Sequence, residues 1–384
     1  MAELFTGSIV SGFSSALHFT FYIQKFAGRF LSPVIVVCSC RSKTASHIKL
    51  LPAHAAGLCR CLKVPEIEDG RDLSMTILYS DPVFLKHDTG DLPENAARIL
   101  PAMRRASQLA MHAHLRQRSW TEVSDAVLER VHSQQYIRFV KEFCEQGGGH
   151  IAEDTVVCPD SYGVARMAVG AVCDAVEQVV QGKAERAFCL VRPPGHHAAP
   201  ESALGFCLFN DVAVGARLAI EELGLERVLI VDWDVHHGDG TQEIFWEDGQ
   251  VGFLSIHRSS FYQNTGTAAE TGAGKGLGTT LNVPVESGTS REHYCELFTA
   301  AVEQLAAHIR PQLVLISAGF DAHKDDPIGS LGLESEDYAR LTRVVLQMAD
   351  VHANGRVVSV LEGGYNPGAL ADSIEHHLLE MAST

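Results

Sequence analysis

The 384-residue chain has ten cysteines and no CxxC pair among them. The close pairs, Cys38/Cys40 and Cys59/Cys61, lie near the N-terminus, while Cys158, Cys173, Cys189 and Cys207 stand among apolar neighbours. Cysteine in such surroundings behaves as a small hydrophobe, which argues against a disulfide framework and for a reducing compartment. No uninterrupted apolar run approaches the ~20 residues that span a bilayer. Positive charge is in deficit. A net charge of −16 argues against direct nucleic-acid binding and favours basic substrates or partners, as a weak, salt-screened bias. There is no internal repeat, and past residue 75 no linker, so residues 75–384 read as a single domain.

Acid is what residues 1–64 lack. Glu3 is their only carboxylate, against Lys25, Arg29, Arg41, Lys43, Lys49, Arg60 and Lys63. That is a balance of +6, which leaves −22 for the remainder of the chain. Serine is frequent early (Ser8, Ser11, Ser14, Ser15), and no base precedes Lys25, so the charged start of a secretory signal is missing. The segment reads as an organellar transit peptide, with Val36-Val37-Cys38-Ser39 as a short candidate processing site. A disordered or partly helical extension with no address is the alternative, and would leave the chain in cytoplasm or nucleus.

The densest chemistry is Asp232-Trp233-Asp234-Val235-His236-His237-Gly238-Asp239-Gly240, straight after the apolar run Val228-Leu229-Ile230-Val231. Buried charge at a strand end needs a partner, and a divalent metal supplies one. Alternation along a strand would put Asp232, Asp234 and His236 on one side. Three other segments end alike. Ala187–Leu190 leads to Arg192-Pro193-Pro194-Gly195-His196-His197, Leu313–Ala318 to Asp321, and Val357–Leu361 to Glu362-Gly363-Gly364-Tyr365. Runs this apolar read as strands buried on both faces of a parallel sheet, whose ligands bind beyond the carboxyl ends.

Strands are expected at 76–79, 186–191, 228–232, 251–256, 279–283, 312–317 and 356–361. Helices are expected at 95–111, 164–180, 211–223 (ended by Gly224), 294–309 and 338–353. The first helix carries a basic face from Arg98, Arg104 and Arg105. The alternation gives α/β with a mostly parallel sheet. Gly266–Gly278 reads as a long loop.

Asp234, His236 and Asp321 offer two oxygens and one nitrogen, a set that suits zinc and leaves positions open for water and a carbonyl oxygen. His196 and His197 supply acid–base chemistry, Asp232 and Asp239 orient imidazoles, and Tyr365 donates to a developing oxyanion. The set fits metal-assisted amide hydrolysis. His237 is expected on the opposite face, and His257 to be structural.

These motifs (RPPGHHA at 192–198, GFCLFND at 205–211, VDWDVHHGDGTQ at 231–242, SAGFDAHKDDP at 317–327, LEGGYN at 361–366) resemble the zinc-dependent histone deacetylase family. Trp233 and Glu362-Gly363-Gly364-Tyr365 resemble its class II and bacterial members, and Asp239, where many class II members have Asn, resembles class I. The resemblance runs from near Ile77 to the C-terminus. It implies the arginase/deacetylase fold, an eight-stranded, mostly parallel sheet between helices. It implies one zinc ion on Asp234, His236 and Asp321, with His197 as base and acid and His196 assisting. Asp232 would orient His196, and Asp239 would orient His197. A potassium ion is implied on Asp232, Asp234, His236 and Ser255. Phe206, after Gly205, and Tyr262 match the aromatic walls of an acyl-lysine channel. Gln263-Asn264 stand where Pro-Gly is usual in that loop, and His87-Asp88-Thr89-Gly90 is followed by Leu92-Pro93-Glu94, where His-Pro-Glu is usual. Arg98 matches an arginine lining an internal cavity. Polyamine-preferring relatives can carry an acid where Ile328 stands, so acyl-lysine side chains of proteins are the expected substrate, with small N-acetylated amines or polyamines as the alternative. Two further readings are weighed. One is a binuclear manganese hydrolase built on Asp321-Ala322-His323-Lys324-Asp325. The other is an inactive acyl-lysine binder, which needs no proton shuttle.

Overall fold

Val228–Asp232 and Leu313–Ala318 are apolar almost throughout, so both faces of a strand made from either must be covered. In a computed structural model, which describes residues 3–9, 17–23, 75–111, 115–262 and 264–383, both are interior strands. The chain divides into two units, Met1–Gly70 and Arg71–Thr384. In the first, β1 (Glu3–Ile9) pairs antiparallel with β2 (Leu17–Ile23), from Glu3↔Ile23 to Ile9↔Leu17. The rest of the expected transit segment, including residues 36–39, lies outside the described residues.

The second unit runs β3 (Thr76–Tyr79), α1 (Ala96–Ala110), β4 (Leu115–Gln117), α2 (Asp125–Leu128), α3 (Gln134–Glu145), β5 (Gly149–His150), β6 (Val156–Val157), α4 (Ser161–Val180) and β7 (Arg186–Cys189). It continues with α5 (Asp211–Glu221), β8 (Val228–Asp232), α6 (Asp239–Phe245), β9 (Val251–Arg258), β10 (Thr280–Val285), α7 (Arg291–Ile309), β11 (Leu313–Ala318), α8 (Ser335–His352), β12 (Val357–Leu361) and α9 (Pro367–Met381). Eight strands form one sheet in the order β10-β9-β8-β11-β12-β7-β3-β4, and every pair is parallel. Helices surround it. α4 and α5 pack together and onto β7, β8 and β11, α7 packs on β8–β10, and α8, α9 and α1 follow one another. No helix among the described residues is long and apolar enough to cross a membrane.

Local chemistry sets the boundaries. Asn95 caps α1 by accepting from Ala97 N, Ser290 caps α7 by accepting from His293 N, and Gly224 after α5 takes φ +72°, which a Cβ resists. Expected strands and helices are present with ends shifted by a few residues. The expected basic face of α1 is not one face. Arg98 is fully buried, bonded to Glu94, whereas Arg105 pairs with Asp372 and Glu375 on α9. A guanidinium on a helix turned toward the interior is stable only with such partners.

The parallel ladder aligns the strand ends. Ser317 of β11 pairs with Asp232 of β8, and Ala318 with Leu361 of β12. The segments after these strands, together with the one after β7, therefore leave from one edge.

Candidate active site

β8 ends at Asp232, so strand alternation is not what gathers Asp232, Asp234 and His236. A turn does this. Asp232 Oδ1 accepts from Asp234 N (3.0 Å), and Asp234 Oδ1 accepts from His236 N (2.9 Å). Aspartates bonded to the backbone two residues on are a favoured way to leave a strand. Asp321 arrives from the end of β11 and accepts from Val235 N (2.9 Å). Gly363, after β12, donates its N–H to Asp234 Oδ2 (2.8 Å). One donor atom from each of Asp234, His236 and Asp321 then lies within 4.8 Å of the others. His236 Nδ1 is 3.0 Å from Asp234 Oδ1 and 3.2 Å from Asp321 Oδ2.

This cluster fits a metal cation. Asp232, Asp234 and Asp321 are fully buried, and no lysine or arginine pairs with them among the described residues. Asp321 Oδ2 has no hydrogen-bond partner there. Burial and the adjacent Asp234 push the Asp321 carboxyl up, and against its own burial the His236 ring is pushed up by Asp234 and Asp321, so the three groups together draw positive charge to one point. A Cβ on Gly319 would collide with Asp234 Oδ2, and one on Gly363 with Asp321 Oδ2, so the glycines leave room at the carboxylates. Two oxygens and one nitrogen fit zinc without excluding other divalent ions.

The tandem imidazoles stand beside it. His196 Nδ1 lies 2.9 Å from Asp232 Oδ2, His197 Nδ1 lies 2.6 Å from Asp239 Oδ1, and the two rings are 4.0 Å apart. Asp239 opens α6. Burial and the neighbouring His196 lower the His197 pKa, so the ring is neutral and able to take a proton. Burial opposes ionisation of Asp239, but its bond with His197 holds the carboxyl below its ordinary value.

Gly364, at φ +125°, lifts Tyr365, whose N–H donates to Asp326 Oδ2 (2.7 Å). Burial pushes the phenol far up, so it keeps its proton. Phe206 lies 5.8 Å from the Tyr365 ring, and Tyr262 lies 5.2 Å from the His197 ring and 5.6 Å from His236. Phe206 and Tyr262 hold φ of 68° and 70°, which side chains other than glycine rarely adopt. Gly205 passes so close to His197 that a Cβ there would strike the ring.

The sequence reading missed the residues that tie these walls. Asp154 Oδ1 accepts from Gly205 N (3.1 Å), while Oδ2 bonds the Tyr262 hydroxyl. Thr155 Oγ1 accepts from Phe206 N (3.0 Å). Asp326 holds Ile328 N (2.9 Å) and Gly329 N (3.0 Å) as well as Tyr365 N. A lone loop acid bonded to backbone amides has no spacing that would betray it. Only Asp326 stood inside a recognised motif.

Ile328 is half-buried. Arg98 donates to Gly364 O (3.1 Å), Glu362 O (2.9 Å) and Glu94, and lies 5.5 Å over the Tyr365 ring. Ser255 faces Asp232 in the β8–β9 register, and its hydroxyl pairs with His257 Nδ1 (2.9 Å). His237 turns to Thr265 and Gln242, and His257 to Gly266 O. Gln263 lies outside the described residues. His323 bonds to the Asp325 amide and to Ser335, and is not among the residues gathered with Asp321.

Known proteins share this arrangement of chain. A family model described as the histone deacetylase domain matches residues 92–381. Histone deacetylase 14, chloroplastic, of Arabidopsis thaliana is 32% identical over 337 residues, covering 81% of this chain and 77% of that protein. Polyamine deacetylase HDAC10 of Homo sapiens is 37% identical over 293 residues, covering 73% of this chain and 43% of that protein. The crystal structure of the HDA15 HD domain superposes with a TM-score of 0.75 at 31% identity, covering 80% of this chain and 89% of that one. The fold is therefore the deacetylase fold, and the chain belongs to the histone deacetylase domain family.

Proposed function

We propose that this chain is a zinc-dependent amidohydrolase that removes acetyl or longer acyl groups from lysine side chains of proteins. The observation that carries the reading is the meeting of a buried Asp–His–Asp donor set with two imidazole–carboxylate pairs and a protonated phenol. Zinc held by Asp234, His236 and Asp321 would polarise the amide carbonyl and acidify a water. His197, neutral and oriented by Asp239, takes the water proton and returns it to the leaving amine. His196, held by Asp232, stabilises charge beside it. Tyr365 donates its O–H to the oxygen on which negative charge develops. Phe206 and Tyr262 flank an aliphatic side chain, and Asp232, Asp234, His236 and Ser255 would hold potassium.

Ile328 places no charge at the position where an acid would recognise a cationic amine, which favours acyl-lysine over a polyamine. The polyamine deacetylase among the relatives keeps that second reading open to test. Residues 75–384 form the catalytic domain in this reading. Residues 1–64 direct it to chloroplast or mitochondrion, a reading supported by their lack of acid and by the relative named chloroplastic.

The experiment compares acetate release by the zinc-loaded protein from acetyl-lysine peptides, acetylpolyamines and N-acetylated arylalkylamines. The peptide is expected to have the highest kcat/KM. A preference for a small amine would reassign the substrate, and peptide binding without acetate release would replace the enzyme with a binder.

A further inference from the structure

The motif Glu362-Gly363-Gly364-Tyr365 supplies a phenol and two glycines to the reaction above, but its first residue has no part in it. Glu362 is fully buried just past β12. A carboxylate in the interior is costly unless its oxygens are bonded. Its Oε2 accepts from Gly195 N at 2.7 Å and from His196 N at 3.2 Å. Its Oε1 has no hydrogen-bond partner among the described residues. The backbone of Glu362 is itself fixed on both sides. The N–H donates to Ala318 O on β11 (3.0 Å), and the carbonyl accepts from Arg98 Nη2 (2.9 Å). Its position is thus set by the strand ends that lead to Asp321 and Tyr365.

His196 is anchored at three points. Its ring Nδ1 is held by Asp232, its carbonyl accepts from Thr241 N (3.1 Å) on α6, and its amide is held by Glu362. On its other side the turn lies close against the Phe209–Asp211 segment. A Cβ on Gly195 would stand 2.7 Å from Asp211 N and 2.9 Å from Phe209 O, so the backbone is pressed against that segment. Removing the acceptor would leave two buried donors unpaired, and the turn would shift to satisfy them.

We infer that Glu362 is a positioning residue for deacetylation: by gripping the amides of Gly195 and His196, it aims the tandem imidazoles and keys them to the strand end that carries Tyr365. It touches no reacting atom, and the inference rests on the deacetylase reading above. Because both amides share one oxygen, a carboxamide oxygen can replace it. Aspartate, one methylene shorter, withdraws the acceptor, and leucine removes it.

The test measures kcat and KM on an acetyl-lysine peptide for the zinc-loaded full chain and its Glu362→Gln, Glu362→Asp and Glu362→Leu variants. Zinc content and hydrogen exchange across residues 192–198 are measured alongside. Small displacements of catalytic groups cost about ten- to a hundredfold in rate. Asp and Leu are therefore expected to lower kcat at least about tenfold with KM within about twofold, zinc retained and exchange at 195–196 accelerated. Gln is expected to keep kcat within about threefold and the exchange slow. Full kcat in Glu362→Asp, a loss in Gln as deep as in Leu, or a loss carried by KM would overturn the inference. If Leu does not fold, Asp decides. A wild-type chain that releases no acetate overturns the deacetylase reading instead, while the exchange arm still reports whether Glu362 holds the turn.

Discussion

The role proposed for His197 rests on a ring kept neutral by burial and by the neighbouring imidazole, and aimed by one carboxylate at 2.6 Å. His197→Ala is therefore expected to cut turnover by more than about tenfold while zinc stays bound, because the lost group is a proton carrier and not a ligand. Tyr365→Phe removes one O–H donor to the oxyanion and is expected to cost at least about tenfold with zinc retained. Full activity in either variant would remove the role assigned to it. Asp321→Ala is expected to lose the metal, measured as zinc equivalents per chain, since Asp321 Oδ2 stands 3.2 Å from His236 Nδ1 with no hydrogen bond of its own, while Oδ1 is taken by Val235 N. Stoichiometric zinc in that variant would strike Asp321 from the ligand set. The Asp234–His236–Asp321 cluster and the His pair were legible in the sequence because carboxylates and imidazoles concentrate after apolar runs. Asp154, Asp326 and Glu362 were not. Their work is to accept from backbone amides, and a backbone amide carries no sequence signature.

Among the elements, the strands were legible and the manner of leaving them was not. β8, β11 and β12 announce themselves by largely apolar runs, yet Asp234 and His236 are gathered by a turn rather than by alternation. The elements β4, α2 and α6, which opens on Asp239, are too short to show a period, whereas α3 (Tyr136, Ile137, Val140, Cys144) and α9 (Leu370, Ile374, Leu378, Met381) bury residues at a helical spacing that the sequence does carry. The seam between α8, α9 and β12 contains a testable device. His377 of α9 is fully buried, bonded to Thr342 Oγ1 (2.6 Å) on α8 and Ser359 Oγ (2.9 Å) on β12. Burial lowers its pKa to about 3. A histidine with a depressed folded pKa stabilises the fold fully above its unfolded value of 6.5, and that contribution is lost as pH falls from there toward 3. His377→Gln is therefore expected to shrink the stability lost between pH 7.5 and pH 5 by about 2 kcal/mol, read from urea unfolding at the two pH values. An unchanged loss would mean that His377 is not held neutral.

In the whole molecule, a parallel sheet brings distant parts of the chain to one edge. Asp234 and His236 follow β8, Asp321 follows β11, Tyr365 follows β12 and the His pair follows β7. That convergence was legible because a buried parallel sheet binds ligands beyond its carboxyl ends. The all-parallel order was not, since apolar runs alone do not say which strand neighbours which. The most direct test is anomalous diffraction at the zinc edge from crystals of the zinc-loaded protein. A single strong peak bounded by the Asp234 and Asp321 carboxylates and His236 Nδ1 is expected. No peak there, or two adjacent metal peaks sharing bridging carboxylates, would contradict that expectation.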